Sequence, residues 1–92
     1  MGASTSSGQL RAQGMDALKE RRYAAAAKLL VRYLDAVPAD REAEFALAVA
    51  RSGEGKHSAA LVIFDRLLEK APPSAALHFN RAMTLERMGG KA

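Results

Sequence analysis

Gly53-Glu54-Gly55-Lys56-His57-Ser58 is the stretch of this chain whose residue types come nearest to chemistry, because glycines before a lysine can cradle a phosphate. A phosphate loop needs a further glycine five residues before the Gly-Lys pair, where Ala50 stands, and a hydroxyl after the lysine, where His57 stands. It also needs a preceding strand, and the segment before Gly53 is patterned as a helix. The stretch therefore reads as a turn. His57 and His78 are the two histidines, and there is no cysteine. No further ligands converge on either histidine at metal-binding spacing, and no hydroxyl–histidine–acid set is brought together for nucleophilic attack. The sequence thus assigns no catalytic residue, no metal and no cofactor, and the chain reads as a non-enzyme.

The elements that would position any site follow from periodicity. Leu10, Gly14, Ala17 and Leu18 share one face of a helix from about Gln9 to Lys19, and Glu20-Arg21-Arg22 turn the chain. A second helix, Tyr23 to Ala36, starts on four alanines and stops at Pro38. Asp40 is placed to cap a third, Arg41 to Arg51, which Gly53-Glu54-Gly55 end. A fourth runs from about His57 to Lys70 against Pro72-Pro73, and Ser74 caps a fifth, Ala75 to Met88, ended by Gly89-Gly90. No segment of useful length has strand character. The fold class is all-α.

These helices repeat. Gly14 answers to Ala48 and Ala82, Ala26 to Ala60, Leu30 to Phe64, Tyr33-Leu34 to Leu67-Leu68, and Pro38 to Pro72, each 34 residues on (14 to 48 to 82). A fixed period of that length marks a helical hairpin repeated in space, no unit of which buries its apolar face alone. In period and residues the chain resembles the tetratricopeptide repeat family over about residues 7–92. The small residues at Gly14, Ala48 and Ala82, the alanines at 26 and 60 and the prolines at 38 and 72 carry that resemblance. Departures are Leu10, Glu44 and His78 where Trp is frequent, Tyr33 and Leu67 where Ala is usual, and Arg21 where the second hairpin keeps Gly55. The resemblance implies antiparallel hairpins stacked as a short right-handed solenoid of five helices. The expected division is a disordered leader over residues 1–8, two repeats over 9–40 and 41–74, and the first helix of a third, capping or truncated, over 75–92.

The resemblance also implies a function, which is non-catalytic protein–protein interaction. In this family the first helix of each hairpin lines a concave groove, here through Arg11, Phe45 and Phe79, then Met15, Val49 and Met83, then Leu18. These stand three and four residues apart, so they form one stripe per helix. The expected groove is apolar at its centre, with Arg11, Lys19 and Arg87 at its rim, and suits a helical or extended apolar segment of another protein. His57 and His78 fall where the family places aromatic rings, which implies packing. Versions of this reading are an adaptor, a chaperone-like shield for a client helix, and a self-associating scaffold. The residues by which relatives clamp a chaperone's C-terminal carboxylate are replaced here by Met15, Ala46, Ala76 and Asn80.

Composition sets the remaining bounds. Ninety-two residues make at most one domain, and a chain this size buries only about 60–65% of its unfolded surface. The net charge of +4 raises nucleic acid as a partner. The basic residues are scattered among acids at helical spacing, however, which describes a solvated surface and argues against it. Met1–Gln9 has neither the basic start nor the apolar run of a secretory signal, and no segment has a membrane span's length, so cytoplasm is the default location. Where a third hairpin is due to continue, the chain is either an excerpt of a longer array or meets a second copy through Leu77, Leu85 and Met88.

Overall fold

The computed structural model describes residues 6–70 and 74–89. It contains five helices: α1 (Ser7–Lys19), α2 (Tyr23–Ala36), α3 (Arg41–Gly53), α4 (His57–Lys70) and α5 (Ala75–Gly89). No described residue is in a strand. Helices α1/α2 and α3/α4 pair as antiparallel hairpins, α2 packs on α3, and α4 packs on α5. The result is an elongated stack, 53 × 26 × 18 Å.

The first helix begins two residues earlier than expected, and the reason is local. Ser6 and Gln9 form a capping box, in which the Gln9 amide donates to the Ser6 hydroxyl at 3.1 Å and the Ser6 amide to the Gln9 side chain at 3.0 Å. The helix and its cap thus take in residues 6–8 of the expected leader, while residues 1–5 lie outside the described residues. Asp40 caps α3 through the Ala43 amide at 3.0 Å, and Ser74 caps α5 through the Leu77 amide at 3.1 Å. The expected stops at Pro72-Pro73 and Gly90 lie outside the described residues.

Both hairpins turn by the same device. The Arg22 amide donates to the Ala17 carbonyl and the Arg21 amide to the Leu18 carbonyl, and one repeat later Lys56 donates to Arg51 and Gly55 to Ser52. This pairing ends a helix with one residue in the left-handed region. That residue is Gly55 at φ 86° in the second hairpin and Arg21 at φ 61° in the first. Glycine adopts the conformation freely, whereas arginine takes it against the steric preference of its Cβ.

The small residues set the helix spacing. A Cβ on Gly14 would stand 2.9 Å from Leu30, so the Leu30 side chain fills the space that a larger residue would need. Ala48, Ala60, Phe64, Ile63, Leu67 and Leu77 make the corresponding cluster of the second hairpin. Ala17, Ala26, Ala27 and Ala50 close the contact between the two repeats. Leu30 and Phe64 are wholly buried, each contributing roughly 1.5–3 kcal/mol.

Gly53 has a different constraint, since a Cβ there would meet the Tyr23 ring at 2.4 Å. Alanine gains up to about 1 kcal/mol over glycine within a helix, but displacing the ring costs about 1–3 kcal/mol by overpacking. Gly53→Ala is therefore expected to lower the thermal midpoint. Gly8→Ala in α1, whose Cβ would meet nothing within 4 Å, is expected to raise it. Thermal circular dichroism of both variants checks the sign.

Candidate functional site

Two groups of hydrogen-bonded side chains lie at the joints between repeats. At the first joint the Tyr33 hydroxyl donates to Asp40 Oδ2 at 2.6 Å and Arg11 Nε donates to the same oxygen at 2.9 Å. The Arg11 guanidinium also pairs with Glu42. Three helices are thus tied at one carboxylate. The Tyr33 hydroxyl foremost, helped by the Ala43 amide and Arg11, holds Asp40 down to about 2, although burial opposes this. The same bond raises the Tyr33 pKa. Arg11, expected towards the groove rim, is thus paired with two acids at the joint.

One repeat further on, the equivalents of Arg11, Tyr33 and Asp40 are Phe45, Leu67 and Ser74. They line an apolar cleft of about 300 Å³ with Leu77 and Ala76. Phe45 is half-buried and meets the Phe64 ring edge-on, with centroids 6.0 Å apart. Its ring packs on the second hairpin's core and leaves its remaining surface to the cleft. Leu77, expected on an outward face, is only 5% exposed and belongs to that same core. The helix turns so that α4 covers it.

The opposite end of the second joint is polar. Ser52 Oγ lies 3.1 Å from Thr84 Oγ1, and Thr84 donates its hydroxyl proton to the Asn80 carbonyl at 2.9 Å, so Ser52 is the donor between the two hydroxyls. Thr84 is 1% exposed. This pair floors a cleft of about 160 Å³ between α3 and α5, walled by Tyr23, Val49, Gly53, Phe79, Met83 and Arg87. Phe79 stands 63% exposed at its edge. The volume is below the roughly 300 Å³ of a small-molecule pocket and fits one or two apolar side chains of a larger ligand.

Of the expected groove residues, Val49, Phe79, Met83 and Arg87 share this cleft. Met15 and Leu18 are half-buried against the first repeat's core, and Lys19 is exposed at the end of α1. Tyr23 and Thr84 were not foreseen there, whereas Ser52 stands one repeat on from Leu18 in the expected stripe. Tyr23 is brought in by the space above Gly53, and Ser52 meets Thr84 across 32 residues, a pairing that the 34-residue period does not align. His78 is exposed rather than packed. His57 is half-buried, and its Nδ1 has no hydrogen-bond partner among the described residues.

Helices of this length, spacing and joint geometry define a helical-hairpin repeat. A family model described as "Tetratricopeptide repeat" matches residues 17–89, and the chain belongs to the tetratricopeptide-repeat family. Members of this family are in general non-catalytic protein–protein interaction modules. No curated protein and no solved structure matches the chain. Among the described residues no group of His, Cys, Asp and Glu could hold a metal ion, and no helix is long and apolar enough to cross a membrane.

The clamp at the first joint makes stability depend on acid. A carboxyl held low in the folded state stabilises it above the unfolded pKa near 4, and that contribution is lost as the pH falls towards 2. The wild type is expected to lose on the order of 1–2 kcal/mol through this group between about pH 4 and pH 2. In urea titrations at several pH values, Asp40→Asn should already lack that increment at pH 7 and show a flatter acid limb.

Proposed function

We propose that the chain is a binding adaptor that holds an apolar segment of a partner protein against the cleft between α3 and α5. Phe79 carries this reading. It is a large aromatic side chain left mostly in water, beside Val49 and Met83 and over a hydrogen-bonded floor. Such exposed apolar surface marks a contact site, and aromatic side chains at the centre of a contact supply most of its energy. Met83 adapts its shape to the incoming side chain. Arg87 at the edge favours a segment with an acidic residue next to its apolar anchor, and acts mainly on encounter and selectivity. The same mechanism serves an adaptor and a shield for a client helix in the cytoplasm, the two differing only in how long the segment is held.

The reading separates the two phenylalanines that the sequence treats alike. Helical and extended peptides selected by phage display on the wild-type chain are expected to lose about tenfold or more in affinity with Phe79→Ala, whose fold stays intact. Phe45→Ala should instead cost about 1–3 kcal/mol of stability, less than a fully buried ring, with little change in affinity per folded molecule. Equal binding by wild type and Phe79→Ala would overturn the proposal.

A further inference from the structure

The outer face of α5 has the design of a helix-binding face, and the two hairpins supply its pairing rule. In the first hairpin Leu30 of the second helix sits over Gly14 of the first. In the second, Phe64 and Ala48 occupy the same repeat positions and are both wholly buried. The rule is a large apolar side chain seated over a small one. Ala82 is the third member of the Gly14/Ala48 series, and it is exposed. Around it Phe79, Met83, Leu85 and Glu86 line an open cleft of about 470 Å³. Leu85 is 41% and Met88 45% exposed. Ala75, Phe79, Ala82, Leu85 and Glu86 fall at three- and four-residue spacing, on the side of the helix opposite Leu77 and Thr84.

We infer that this face takes a second copy of the chain, with two α5 helices pairing antiparallel about a two-fold axis between Asn80 and Arg81. In that register the large-over-small rule is met twice. Phe79 seats over the second copy's Ala82, and the second copy's Phe79 seats over Ala82. Leu85 reaches the second copy's Ala75, whose small side chain leaves room for it. Charge agrees with the same register. The first turn of α5 has no acidic residue, and its free amides favour a negative neighbour. The pairing sets the exposed Glu86 against the second copy's first turn, and does so reciprocally. A two-fold contact must be self-complementary in this way. Arg81 is already engaged by Asp65 of α4 at 2.6 Å, which keeps it off the contact. This inference shares Phe79 with the α3–α5 cleft but is tested apart from it, because Ala82 lines only the outer cleft and Val49, Ser52 and Arg87 only the other.

Sedimentation velocity on the full chain over a concentration series tests it. A single helix pair falls short of the roughly 1,200 Å² of a standard interface, so pairing is expected to be half complete on the order of 10–100 μM. Ala82→Arg, on an exposed position, should leave the helical circular dichroism unchanged and abolish the dimer. The decisive arm exchanges knob and hole. Phe79→Ala alone and Ala82→Phe alone should each weaken pairing tenfold or more, and the double variant should recover most of it, because a phenylalanine at 82 then seats over an alanine at 79. A chain monomeric to several hundred micromolar overturns the inference. So does a dimer indifferent to Ala82→Arg, and so does a double variant no better than the single ones.

Discussion

The close approach of helices over small side chains is the constraint from which the rest of this structure follows. Leu30 fills the space above Gly14 so fully that a Cβ there would stand 2.9 Å away. Ala48 and Ala60 leave the equivalent room for Phe64. Once the hairpins are that tight, the second helix of one repeat reaches the first helix of the next, and Ala17, Ala26, Ala27 and Ala50 close that joint with almost no side-chain volume. Ridges can interlock at this distance only because neither helix presents a long side chain there. The helices are then held in the order α1, α2, α3, α4, α5, each packed on the next.

The hairpins repeat, but the joints do not. At one end of the first joint Arg11, Tyr33 and Asp40 form a charged clamp, where the second joint has Phe45, Leu67 and Ser74 around an apolar cleft. At the other end the order is reversed. Leu18 packs on the alanine cluster that includes Ala50 in the first joint, while Ser52 and Thr84 hydrogen-bond in the second. Each joint therefore has one polar end and one apolar end, in opposite senses. A polar network fixes a unique register because its unmet groups are costly, so both joints are specific while using different residues. The variation between repeats is where a general fold becomes a particular surface.

That division explains what could be read from the residues. Helix positions, the hairpin pairing and the small-residue contacts are local or periodic properties, and they were legible. The early start of α1 was legible in principle, since Ser6 and Gln9 have capping-box spacing, but the small polar residues around them read as leader. Site residues fared less evenly, because a repeat position fixes where a Cα stands and not which neighbour takes the side chain. Phe45 and Phe79 occupy the same position. One meets Phe64 at the second hairpin's core, and the other stays mostly in water. Arg11, again at that position, found two acids that no helical spacing within α1 would bring near it. Leu77 and Thr84 depended on the rotation of α5 about its own axis, which the packing of α4 and α3 decides.

The placement of α5 ties function to stability. Stability in a stacked repeat is close to a sum of unit terms and nearest-neighbour contacts. Helix α3 buries five side chains, Ala43, Ala46, Ala48, Ala50 and Ser52, between neighbours on two sides. Helix α5 buries Leu77 and Thr84 and holds its charge on Asp65 through one arginine. The helix that presents Phe79, Met83 and Leu85 is thus the one with least of its surface committed to the core, and low-stability elements are where recognition surfaces concentrate. Anything that binds the folded helix and not the unfolded one adds to its stability in proportion to how far it exceeds its dissociation constant. Phe79 and Met83 line both the α3–α5 cleft and the outer cleft of α5. A partner segment and a second α5 therefore draw on the same side chains, and each stabilises the folded helix at the expense of the other.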